Sequence, residues 1–180
     1  MKIHIMGASC SGVTTLGHYL SPGLNIPYFD TDEYFWERSD PPFTIRRNPE
    51  QRNEMLYEQF RQHKSWLLGG SILKWELDIE FDLVVFLWLP HHIRMQRLKN
   101  RELERYGDII YKDPERNRLY NEFVNWAAGY DDNTIKGRTL AAHEEWLNKL
   151  SCPVLELRGD LSVPERAEKV LDKLNGITYT

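Results

Sequence analysis

Cysteine is almost absent from this chain of 180 residues. Cys10 and Cys152 are the only two, and with no paired Cys/His spacing around either they read as free thiols, not as a disulfide framework or a metal knot. Long apolar runs are missing too. The longest, Leu83 to Leu89, is far too short to span a bilayer, and no basic stretch followed by a long apolar one opens the chain, so the expectation is a cytoplasmic protein with no membrane partner. There is no excess of positive charge: the formal net charge is -4, which argues against a general nucleic-acid surface. Internal repeats and low-complexity linkers are absent. The length suits a single domain over 1–180 with a full core, and 41% hydrophobic with 28% charged residues is ordinary for a globular chain.

The most telling absence is one residue. Gly7-Ala8-Ser9-Cys10-Ser11-Gly12-Val13-Thr14-Thr15 follows an apolar strand, Lys2 to Met6, and leads into Leu16-Gly17-His18-Tyr19-Leu20. This is the strand, loop and helix context in which G-x-x-x-x-G-K-[S/T] wraps phosphate oxygens in backbone N–H groups and aims a helix N-terminus at them. Val13 stands where that pattern has lysine. Two glycines with threonines after them also occur in ordinary turns; the position behind an N-terminal strand is what favours phosphate. Gly7, Ser9, Cys10, Ser11, Gly12, Val13, Thr14 and Thr15 are therefore the candidate nucleotide-binding residues. Thr14 takes the place whose hydroxyl normally meets Mg²⁺.

Further strand signals fall at Asn25 to Phe29, Ser65 to Leu68, Leu83 to Leu89 and Pro153 to Leu157, with helical stretches between, which implies a parallel sheet covered on both faces. Leu83 to Leu89 is apolar without alternation, as a central strand is, and should lie beside the first strand. Asn48-Pro49 opens a helix to about Gln62, Pro90 opens another that Gly107 ends, and Ser162 with Glu165 makes a capping box for a last helix that Gly176 should stop. Residues 107–137 form a polar, aromatic-rich insertion that fits a mobile lid better than core.

Carboxylates gather after the second strand, in Phe29-Asp30-Thr31-Asp32-Glu33. Ligands of open parallel sheets bind beyond the carboxyl ends of the strands, so Asp30 is placed to hold Mg²⁺ through water and Asp32 to orient or deprotonate an acceptor hydroxyl. The plainer alternative is that one caps the next helix and the other is solvated. Glu33 should face solvent. Arg94, Arg97, Arg101 and Arg105 fall on one narrow helical stripe. Arg97 and Arg101 are the catalytic candidates there, neutralising a transferring phosphoryl group, against a solvated face paired with Glu102 and Glu104. Arg46 and Arg47 are placed to clamp an acceptor or are simple surface charges. Gly69-Gly70 allows close backbone approach to a ligand or merely ends a strand. Trp36, Trp75 and Trp126 are candidates to line an acceptor pocket, but large aromatics usually pack cores, and only one or two of the six tryptophans are expected near the site. His91 and His92 read as structural or exposed.

With these residues in hand, the chain resembles the small P-loop kinases of the adenylate and shikimate kinase type over nearly its whole length. Tyr34-Phe35-Trp36, Asp40-Pro41-Pro42-Phe43-Thr44 and Ala127-Ala128-Gly129-Tyr130-Asp131-Asp132 look more narrowly like adenylate-kinase-like or AAA-family ATPases of bacteria. The resemblance implies a P-loop NTPase-like three-layer α/β/α fold with a five-stranded parallel sheet in the order 2-3-1-4-5 and a lid between the fourth and fifth strands. It implies adenine between the arginine helix and Gly159-Asp160-Leu161, metal and acceptor roles for Asp30 and Asp32, and acceptor contact at Gly69 and Gly70. Cys10 departs from the usual glycine. Val13 departs from the lysine, for which Arg97, Arg101 or Arg138 would have to substitute.

The expectation is thus an ATP- and Mg²⁺-dependent phosphotransferase acting on a small hydroxyl- or phosphate-bearing metabolite, as a monomer or homodimer. The alternatives are a nucleotide-binding sensor or weak ATPase without transfer chemistry, which Val13 favours, and a nucleoside monophosphate kinase holding its acceptor phosphate on Arg46 and Arg47.

Overall fold

The computed structural model describes residues 1–40 and 42–178; Pro41, within the Asp40 to Thr44 segment singled out above, lies outside the described residues. Five parallel strands form one sheet: β1 (Lys2–Gly7), β2 (Tyr28–Asp30), β3 (Trp66–Gly69), β4 (Leu83–Trp88) and β5 (Val154–Arg158), in the spatial order β2-β3-β1-β4-β5. Ile3 of β1 stands opposite Leu67 of β3 and Leu83 of β4, so the first strand runs up the middle beside the apolar run, as expected.

Alternation along the strands builds two cores. Ile3, Ile5, Leu67, Leu83, Val85 and Leu87 face one way, onto Leu16 and Leu20 of α1 (Val13–Leu24) and onto Ala167, Val170 and Leu174 of α8 (Val163–Thr178). Met6, Leu68, Val84 and Phe86 face the other, onto Leu56 of α3 (Pro49–Gln62) and Leu147 of α7 (Leu140–Leu147). The result is three layers with helices on both faces. His4 points into the second core, fully buried, its ring stacked on Phe81 at 5.2 Å with Nδ1 3.0 Å from the Leu68 carbonyl.

Element ends differ from expectation where local chemistry decides them. β2 begins at Tyr28, not at Asn25, because Asn25 adopts φ 53° as the C-cap of α1. Its last residue, Asp30, then N-caps a short helix, α2 (Thr31–Phe35), its side chain accepting from the Asp32 N–H at 3.0 Å, which is the capping alternative weighed for this segment. α3 starts as expected, on Asn48 and Pro49. α4 (His91–Tyr106) follows Pro90 and ends on Gly107, at φ 66°. Ser162 and Glu165 do form their reciprocal capping box, but α8 continues through Gly176 to Thr178. An exposed glycine costs a helix only about 1 kcal/mol, which does not end one already anchored by Val170 and Leu174.

The insertion is helical: α5 (Ile109–Lys112) and α6 (Pro114–Ala128), the latter opened by Asp113 and Pro114. Ala127 is buried with Met95 and Leu98 of α4, and Phe123, Val124 and Trp126 pack against them. Cys10, at the tip of the phosphate loop, packs against the same cluster. No described helix is long and apolar enough to cross a membrane.

Candidate functional site

The loop between β1 and α1 has the shape its sequence asked for. Gly12 caps α1 at φ 97° with no side-chain cap hydrogen bond, which leaves the first-turn N–H groups for an anion. Cys10 also lies in the left-handed region, at φ 65°, doing without the glycine common there. Thr14 and Thr15 are exposed at the helix start, while Val13 is half buried against the first core and brings no charge. Beneath the loop, Arg166 of α8 is buried and donates from Nη1 to the Ser11 carbonyl at 2.7 Å.

The carboxylates after β2 divide their work. Asp30 accepts from the Thr14 hydroxyl at 2.8 Å and from the Tyr28 hydroxyl at 3.1 Å, besides capping α2. It therefore fulfils the capping alternative and also faces the loop threonine. Asp32, two residues on in the first turn of α2, opens to solvent through a cleft whose walls enclose it. That enclosure raises its carboxyl above the ordinary carboxylate range, the charge of Asp30 adds to the rise, and Arg138, Arg101 and Arg105 oppose it.

Asp32 lines a cavity of about 750 Å³ that runs from Ser9 of the loop to the inner face of α6. Seven basic side chains and two carboxylates, Asp32 and Glu102, border it, in a chain of net charge -4. Trp36, Trp75 and Trp126 all line it, more than the sequence led us to expect. Arg101 stands over the Phe123 ring at 5.7 Å and bonds Glu102; Arg138 stands over Trp126 at 5.2 Å with no hydrogen bond or ion pair among the described residues.

The arginine stripe of α4 does not act as one. Arg94 is buried and spent on structure, donating to the Ala127 carbonyl at 2.9 Å and to Asp131 at 2.5 Å. His91 also reaches Asp131, at 3.2 Å. Arg97 pairs with Asp160 at 2.8 Å, at the loop after β5, and does not border the cavity. Only Arg101 and Arg105 do, both beside Glu102. Among the acceptor candidates, Arg46 lines the cavity, whereas Arg47 straps α2 by donating to the carbonyls of Tyr34 and Trp36. Gly69 and Gly70 do not border it: a Cβ on Gly69 would meet the Tyr28 ring and one on Gly70 the Thr31 side chain. They are glycine because β3 packs tightly there.

The sequence reading missed Arg116, Lys74, Lys136 and Arg166. For Arg116 a signal existed, since 116, 119, 120, 123 and 126 repeat at helical spacing and form the cavity face of α6. Arg166 had none.

The profile of the AAA domain family matches residues 3–118. The chain belongs to that family. It is a small P-loop kinase-like protein of the adenylate and shikimate kinase type, as the sequence suggested. The protein YqaC of Bacillus subtilis (strain 168) is 41% identical over 176 residues, 97% of each chain. Among solved structures, deoxyadenosine kinase from M. mycoides with bound dATP superposes with TM-score 0.58 at 16% identity, over 97% of this chain and 100% of that one. Shikimate kinase from Bacteroides thetaiotaomicron superposes with TM-score 0.57 at 18% identity, over 97% and 98%. At those identities the likeness is one of fold, and this P-loop protein shares its architecture with both kinds of kinase.

Proposed function

We propose that the protein is an ATP- and Mg²⁺-dependent phosphotransferase that passes a phosphoryl group from a nucleotide on the loop to an acceptor in the cavity. The observation that carries this reading is Asp32, a carboxylate with raised proton affinity at the loop end of a large cavity, facing the field of three arginines. The loop N–H groups and the start of α1 hold the nucleotide's phosphates, and Arg97, Gly159 and Asp160 border the base. Thr14 and Asp30, 2.8 Å apart, would hold Mg²⁺ directly or through water. Bound there, the ion supplies charge neutralisation at the outer phosphates. Asp32 takes the proton of the acceptor hydroxyl as its oxygen bonds to the γ-phosphorus; the bond to the β–γ bridging oxygen breaks and ADP leaves. Arg138 and Arg101 flank the transferring group, supplying the charge that Val13 does not.

The test is Asp32→Asn. Acceptor-stimulated ADP release should fall by about 10² or more, the usual worth of a general base, while calorimetry returns an Mg-nucleotide affinity close to the parent's. Undiminished turnover would remove Asp32 from the chemistry.

The packing of Val13 into the core favours a second reading, a nucleotide sensor without transfer. It calls for Mg-nucleotide binding with no product from any acceptor and added protease resistance of α5 and α6 on binding.

A further inference from the structure

Beyond the two residues flanking the transfer point, the cavity holds more positive charge than a neutral alcohol or a single carboxylate could use. Arg46, Arg105 and Arg116 are joined by a continuous run of rings. Arg46 lies over Phe35 at 5.8 Å; Phe35 meets Trp36 at 4.8 Å; Trp36 meets Phe43 at 6.4 Å. Phe43 carries Arg105 at 4.7 Å, and Arg105 and Arg116 share Tyr106, at 5.9 and 5.1 Å. Stacking on a ring fixes a guanidinium without neutralising it and leaves its N–H fork free. Neither Arg46 nor Arg116 has a carboxylate partner or a side-chain hydrogen bond among the described residues, and Arg105 reaches Glu102 only at 3.9 Å. Phe43 and Lys74, on the same rim, both hold left-handed φ, at 61° and 62°, a backbone cost that tends to collect at ligand sites.

We infer that the acceptor is a phosphate monoester carrying a free hydroxyl: a dianion whose phosphate sits in the forks of Arg46, Arg105 and Arg116 while its hydroxyl points to Asp32. This rests on the phosphotransferase reading for the second half only. A phosphate accepts the bidentate pairing that stacked arginines offer, and its two charges answer Arg46 and Arg116, which no carboxylate among the described residues pairs, with Arg105 shared with Glu102 at 3.9 Å. Sugar phosphates and nucleoside monophosphates share this chemistry, since either a sugar face or a base can lie on the aromatic wall.

The experiment uses the full chain with Mg-ATP and measures both acceptor-dependent ADP release and acceptor binding by calorimetry. The probes are pentose and hexose phosphates, nucleoside monophosphates, the same compounds without phosphate, and hydroxylated monocarboxylates. One phosphorylated class should bind and react at least about tenfold better than its dephosphorylated form, the worth of one charge-assisted pair. Arg116→Gln and Arg46→Gln should each raise KM for that acceptor about tenfold, with kcat and the KM for ATP little changed, and should weaken its dependence on salt. Arginine-dependent binding of a phosphate monoester without ADP release would uphold the anion site and contradict the transfer reading. ADP release on a neutral or monocarboxylate acceptor that is indifferent to both variants would uphold transfer and overturn this inference. Absence of both binding and release overturns both.

Discussion

Arg166 and Gly12 meet under the phosphate loop with no room to spare. Among the described residues the guanidinium makes one hydrogen bond, to the Ser11 carbonyl, and its Nη1 lies 2.7 Å from where a Cβ on Gly12 would stand. Gly12→Ala therefore meets both this contact and a φ of 97°, and Arg166→Met releases the loop it pins. Both should weaken Mg-nucleotide binding by about tenfold or more in calorimetry, the worth of a buried charged hydrogen bond, although neither need touch the nucleotide. Asp32 carries the opposite signature. Its ionised form is disfavoured by enclosure and by Asp30, so Asp32→Asn should raise the thermal midpoint at pH 7 while turnover collapses. For the same reason the acid limb of the rate profile should lie at higher pH than an ordinary carboxylate gives. His4 ties fold stability to pH: burial lowers its pKa from 6.5 to about 4, so the unfolded chain binds a proton that the folded one refuses in that window. Stability should be full above pH 6.5 and decline as pH falls towards 4, by about 3 kcal/mol at most from this group, and His4→Phe should flatten that part of a denaturant series.

Elements were legible in the sequence to the extent that local chemistry set them. The strand and loop at the N-terminus, the Asn48-Pro49 and Pro90 helix starts and the Ser162 capping box all depend on neighbours in the chain, and all are present. α7 escaped because its N-cap, Thr139, opens a helix of only 8 residues, too short for a clear period; α2, of 5 residues, was implied only by the capping alternative for its Asp pair. The insertion was read as a lid from its polarity; its packing could not be seen, because Phe123, Trp126 and Ala127 find their partners on α4, some 30 residues earlier in the chain. Arg94 deceived for the same reason: spacing put it on a stripe, and only the fold brings Asp131 and the Ala127 carbonyl to it. Leu98, fully buried in that contact, is the hinge of the arrangement. Leu98→Ala should cost about 2–5 kcal/mol in denaturant unfolding and open α5 and α6 to proteolysis before the sheet unfolds.

At the scale of the whole molecule, the parallel sheet delivers the loop, after β1, and Asp30 and Asp32, at the end of β2, to the same carboxyl edge on either side of β3, and residues of the insertion line the cavity there. The loop lysine is missing, while Arg166 lies beneath the loop and Arg101 of α4 and Arg138, before α7, line the cavity. The measurement that bears most directly on this account is ADP release by the full chain at saturating Mg-ATP, with and without hydroxylated phosphate monoesters, run in parallel on Asp32→Asn. The account predicts release that one such acceptor stimulates and that Asp32→Asn abolishes. Tight Mg-nucleotide binding in calorimetry with no acceptor stimulating release would contradict it and leave a nucleotide sensor in its place.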